Sequence, residues 1–151
     1  MDETFKINHA NRKVLLHYLE TLSVPQLNTI PSGFSNNIIW NIGHIVVVQQ
    51  LLLYNLSGLP MLVSSEMISQ YKRGTIPNDE VTTEDVEELK KLLFLTLEKT
   101  QKDFEIGTFE KYMEYTTMTG YRIPDAKAAM EFNNFHEGVH LGIIMQLNKF
   151  V

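Results

Sequence analysis

Residues 35–60 read SNNIIWNIGHIVVVQQLLLYNLSGLP, and this stretch decides the fold. Ser35, Asn36 and Asn37 all carry side chains suited to an N-cap. The run behind them, as far as Leu56, is apolar on nearly every face. A helix of that kind belongs at the centre of a molecule or at a subunit interface. Ser57-Gly58-Leu59-Pro60 is a strong stop signal. Asn41, His44, Gln49, Gln50 and Asn55 interrupt the run, which makes it too polar to span lipid.

On either side lie three further apolar periodicities. Phe5, Val14, Leu15, Tyr18, Leu19 and Leu22 predict an amphipathic helix over residues 3–22. Ser23, Pro25, Pro31, Ser32 and Gly33 mark a loop after it. Residues 61–83 read as irregular chain with room for one short helix. Thr83-Glu84-Asp85 then caps a third long helix, carrying Val86, Leu89, Leu93 and Leu97 and ending near Lys102. The acidic residues at its start suit the positive end of the helix dipole. Residues 109–123 form a second irregular connection, with an extended piece bounded by Gly120 and Pro124. The fourth helix starts at Asp125 and ends near Lys149, carrying Ala128, Ala129, Phe132, Phe135, Val139, Ile143, Ile144 and Leu147. Four long helices without a convincing sheet predict an all-α four-helix bundle. With no repeat or linker in view, residues 1–151 are expected to form a single domain.

Composition narrows the function. The chain is 44% hydrophobic and 21% charged, a globular balance. With 13 basic and 18 acidic residues its net charge is -5, which disfavours a nucleic-acid partner. It has no cysteine, so disulfides, thiolate zinc sites and cysteine nucleophiles are excluded. No apolar run follows a basic start at the N-terminus, so no secretory leader is expected, and a cytoplasmic location without membrane association is the default. Any transition-metal site must draw on the five histidines and on carboxylates.

His136 and His140 are four apart on the fourth helix, which puts them ~40° apart on one face and one turn from each other. Two such imidazoles can reach one ion. Their segment, His136-Glu137-Gly138-Val139-His140, matches H-E-x-x-H literally. A zincin needs a third ligand downstream, and no histidine, aspartate or glutamate follows His140. The third ligand must lie upstream, where His44 is the candidate. A histidine in so apolar a helix needs a polar partner. That partner is either a backbone carbonyl in the core or a metal ion shared with the pair. Nothing in the spacing of His9 and His17 supports a ligand role. Trp40 reads as core or cavity wall. Asn41 reads as a hydrogen-bonding group toward a ligand or as a buried structural amide. Gly43 and Gly138, each beside a candidate ligand, mark either close approach of the second and fourth helices or relief of crowding by neighbouring aromatics. Glu137 is either a general base or a glutamate in solvent or behind a ligand, since its side chain leaves the helix ~60° from His140. Tyr112, Tyr115 and Tyr121 either line a cavity or simply pack. A ferritin-like di-iron site fails on ligand count, since only Glu137-x-x-His140 fits its motif.

The segment Asn37-Ile38-Ile39-Trp40-Asn41-Ile42-Gly43-His44, together with His136-Glu137-Gly138-Val139-His140-Leu141-Gly142, resembles the DinB-like (YfiT-like) metalloenzyme superfamily. The likeness covers most of the chain: a histidine after a tryptophan on the second helix, a glycine-proline break, and a closing helix with paired histidines. It implies a bundle of up-down-down-up order, often a homodimer, with His44, His136 and His140 on the three metal-ligand positions. Asn41 stands where members often carry a second histidine, a departure that leaves the triad intact. The implied cofactor is one divalent ion, zinc or nickel first, iron or manganese second. Three neutral imidazoles leave positions open for water or substrate, as in a catalytic site. Characterised relatives join low-molecular-weight thiols to electrophiles or run thiol-dependent isomerisations. The resemblance therefore implies a small-molecule thiol transferase or a metal-assisted hydrolase. The competing expectation is a non-catalytic ligand-binding or dimerisation protein with a vestigial site.

Overall fold

A computed structural model describes residues 2–151. Helix α1 (Asp2–Thr21) leads into a short helix α2 (Val24–Asn28). The expected loop thus contains a helix. Ser23 caps it, Gln26 completes a reciprocal capping box, and Pro25 sits in its first turn, where a missing N–H costs nothing. Helix α3 (Ile38–Gln50) begins at the Asn37 cap, whose side chain accepts the Trp40 N–H. Beyond Gln50 the ladder slips to one π-helical turn, Leu51–Asn55, and the Leu56 N–H reaches back to the Leu51 carbonyl at 3.3 Å. Helix α4 (Ser65–Tyr71) lies in the first irregular stretch. Helix α5 (Thr83–Glu105) starts one residue after its Thr82 cap, with Asp85 completing a capping box. Strands β1 (Tyr115–Thr116) and β2 (Arg122–Ile123) form a two-residue antiparallel ladder, turned at Gly120 with φ 83°. Helix α6 (Ala126–Leu147) closes the fold, capped by Asp125.

The protein is all-α apart from that ladder. Helix α3 packs on α2, α4, α5 and α6, while α1 packs on α5 and α6. Every residue of α3 except Val48 is buried. Its all-round apolar surface is therefore covered by its own chain, and no partner is required to hide it. The segment Ile38–Asn55 has the length and mean hydropathy (1.2) of a membrane span, but 83% of it lies inside the fold. Leu89, Leu93 and Leu97 of α5 recur at helical spacing and are at most 1% exposed.

Of the two readings of Gly43, the structure supports relief of crowding by an aromatic ring and not close approach of α3 and α6. A Cβ there would lie 2.5 Å from the Tyr71 ring, so the glycine admits α4. At Gly138 a Cβ would meet nothing within 4 Å.

Candidate metal centre

Helix α3 presents His44 on its face toward α6, and α6 answers with His136 and His140 one turn apart. The ring centroids lie 5.2 Å (His44 to His136), 4.7 Å (His44 to His140) and 4.5 Å (His136 to His140) apart. One nitrogen from each ring falls within 4.8 Å of the other two. Two nitrogens on one ion with bonds of ~2 Å sit at most ~4 Å apart, so small side-chain rotations close the set.

Two of the rings are held by their far nitrogens. The Tyr71 carbonyl, at 2.6 Å, accepts from His44 Nδ1. A carbonyl can only accept, so Nδ1 carries the proton and Nε2 keeps its lone pair. His140 Nδ1 lies 2.8 Å from Asn41 Oδ1. Asn41 Nδ2 donates to the Asn36 side chain and the Asn37 carbonyl, which fixes the amide with its oxygen toward His140. His140 must then donate from Nδ1, and its Nε2 also keeps a lone pair. Metal-binding histidines are typically oriented by such bonds to a carbonyl oxygen. His136 Nδ1 is buried with no hydrogen-bond partner. A buried orphan of this kind costs about 1–3 kcal/mol unless something fills the site.

The electrostatics favour neutral rings. Burial first, then the nearness of His140 and His44, pushes His136 down to about 3. Burial and His44 push His140 down to about 4, and burial lowers His44. Cation binding requires this protonation state. The donor set, its charge and the orphaned nitrogen therefore all fit a divalent ion.

Trp40 stacks on His44 at 4.7 Å and 14°, and its Nε1 donates to Thr75 Oγ1. The histidines open into a cavity of about 680 Å³. Leu51, Leu52 and Asn55 of the π-helical turn, with Phe132, Phe135 and Val139 of α6, form much of its wall. Such turns recur at functional sites. Periodicity had marked Phe135 and Val139 as core, yet they are 59% and 46% exposed at the cavity's open side. Of the three tyrosines, Tyr115 lines the cavity. Tyr121 stacks on Phe132, and Tyr112 packs against the cluster around Tyr54 and Met130.

Glu137 requires a correction. Its side chain is fully buried and turned away from the cavity. Oε1 accepts from Arg12 Nη2 at 2.8 Å and from Asn133 Nδ2 at 2.9 Å. Arg12 Nη1 donates in turn to the Leu93 carbonyl and Thr96 Oγ1. The network ties α1, α5 and α6 together, and a carboxylate held there cannot take a proton from a substrate in the cavity. Arg12 escaped sequence reasoning because it reads as one more charge on an amphipathic helix. The signal was present only as a basic residue in line with Phe5, Leu15 and Leu19 of the buried face.

A family model described as the DinB superfamily matches residues 8–144, a span that includes all three histidines. No curated protein matches the chain.

Proposed function

The chain belongs to the DinB superfamily, and on that premise we propose that it is a metal-dependent enzyme acting on a small molecule, with His44, His136 and His140 holding one divalent ion. The observation that carries this is the arrangement of the nitrogens. Two rings are locked with their lone pairs free, and the third leaves a buried nitrogen without a partner. A bound ion would supply Lewis acidity and lower the pKa of a water or thiol at its open positions. Zinc or nickel suits an all-imidazole set best. The protein's own contributions are orientation and exclusion of water. Asn41 and the Tyr71 carbonyl set the rings, Trp40 covers one side of His44, and Phe132 and Leu52 wall the cavity.

Between the two reaction types, the cavity favours transfer of a thiol to an electrophile with an apolar body, the sulfur–carbon bond forming as the thiol proton passes to water and the electrophile's leaving group departs. Among the described residues no aspartate or glutamate lines it to take a proton from attacking water. Contacts of α1 with α5 and α6, and of α3 with the same two helices, support a four-helix bundle; its up-down-down-up order is what the family resemblance implies. Homodimerisation rests on the family resemblance alone, since α3 is covered within one chain. A ligand carrier without catalysis would use the same cavity, and turnover separates the two readings. Metal-loaded protein assayed against a panel of low-molecular-weight thiols and apolar electrophiles should form a thioether product, and His44→Ala and His136→Ala should abolish it. Undiminished turnover in either variant contradicts the proposal.

A further inference from the structure

The turn that secures His44 also carries an arginine. Tyr71 supplies the carbonyl that accepts from His44, and Thr75 accepts from Trp40 at 3.1 Å. Between them, Thr75 Oγ1 donates toward the Gln70 and Lys72 carbonyls, and Gly74 takes φ 89°. Both ends of residues 71–75 are thus pinned to groups of the histidine site. Arg73 and Gly74 line the cavity. The chain has three arginines. Arg12 is paired with Glu137 and Arg122 with Glu114. Among the described residues Arg73 has no acid partner, and its Nη2 touches only Met118 Sδ, at 3.2 Å. Among the described residues no carboxylate lines the cavity to neutralise it. A fixed positive charge therefore stands at the rim of an apolar hollow in a protein whose net charge is -5.

We propose that the cavity takes an organic anion, with its apolar body between Leu52, Phe132 and Phe135 and its anionic group at Arg73. This rests on the reading of the cavity as the substrate site and names the class of substrate it admits. A guanidinium offers a planar fork of donors to a carboxylate or sulfonate. The apolar walls take up the rest of the molecule, the usual division of labour in a small-molecule pocket.

The test uses two fluorescent probes with the same body, 8-anilinonaphthalene-1-sulfonate and uncharged N-phenyl-1-naphthylamine. Both are titrated into metal-free protein, so the outcome does not depend on the histidines holding an ion. Arg73→Gln should weaken the sulfonate about fivefold and leave the neutral probe within about twofold, as for a partly exposed ion pair. Arg73→Lys should restore part of the loss. Added salt should weaken the sulfonate in the wild type more than in Arg73→Gln. Val48→Trp, which fills the cavity, should weaken both probes. Equal effects of Arg73→Gln on the two probes, no effect on the sulfonate, or indifference of both to Val48→Trp would overturn the proposal. Metal content of Arg73→Gln, measured in parallel, should equal that of the wild type. A loss of metal there would mean that the turn acts through His44 and not on the ligand, and would also overturn it.

Discussion

Asn41 Oδ1 and His140 Nδ1 lie 2.8 Å apart and join α3 to α6 across the candidate metal centre. The bond gives a lone asparagine in an apolar helix a defined task. Its amide is oriented by two donations within its own helix start, and the orientation settles which nitrogen of His140 is free. A side chain outside the cavity wall thereby sets which nitrogen of His140 keeps its lone pair.

Removing that acceptor should loosen metal before it loosens the fold. Asn41→Ala leaves His140 free to rotate and to take either tautomer. Metal affinity, measured by competition with a chromophoric chelator, should fall about 10- to 100-fold, the usual cost of losing such an orienting bond. An unchanged affinity would mean that the Asn41 contact is incidental.

Gly43→Ala should disturb the site from the other side. The new methyl would lie 2.5–2.7 Å from three ring carbons of buried Tyr71, whose carbonyl holds His44. The cost should be about 1–3 kcal/mol, as for overpacking elsewhere. Trp40 is the only tryptophan and stacks on His44, so its fluorescence should shift in the same variant. Gly138→Ala, which meets nothing within 4 Å, should be neutral or slightly stabilising.

Glu137→Gln separates a structural role from a catalytic one. It strands the Arg12 charge in a fully buried position, so stability should fall by about 3–5 kcal/mol in calorimetry. The protein that remains folded should keep its metal and its turnover per folded molecule. Loss of turnover at unchanged stability would restore Glu137 as a general base.

The metal-free protein should lose stability as the solution is acidified toward pH 5. The folded-state values of His136 and His140 (about 3 and about 4) lie below the ordinary histidine value of 6.5. The unfolded chain therefore takes up protons first. The stabilisation is complete above pH 6.5 and drains away as pH falls below it, by about 1–2 kcal/mol per histidine at pH 5. Urea denaturation at pH 7.5 and pH 5 measures it. His136→Ala should flatten the dependence, and metal should displace it to lower pH. A metal-free protein equally stable at both values would contradict the burial assigned to these rings.

The four long helices were legible because each carries its own apolar period, and α3, α5 and α6 also carry a capping residue within one position of the expected one. The histidine triad was legible for a related reason. A four-residue spacing fixes two rings on one face, and a polar ring in an apolar helix demands a partner. What lay hidden depends on contacts between distant segments. Nothing near Arg12 or Glu137 in sequence says that they meet, because the pairing is decided by the register of α1 against α6. Periodicity alone favours Phe135 over Asn133 as core, and the network of Arg12 reverses that choice. Crowding by an aromatic was one of two readings of Gly43, but Tyr71 could not be named as that aromatic, since helix α4 lies in a stretch with almost no pattern of its own. The helix α2 was readable from Ser23, Pro25 and Gln26, whose capping signal the prolines around it obscured.

The central claim is that three histidines share one ion, and metal stoichiometry tests it most directly. Elemental analysis should find one divalent ion per chain in the wild type after loading and exhaustive dialysis. His44→Ala should retain a small fraction of it, because two imidazoles hold a metal far less well than three, while its far-ultraviolet circular dichroism stays that of the wild type. Equal metal content in the two proteins would show that His44 is a core histidine satisfied by the Tyr71 carbonyl alone, and the triad would be refuted.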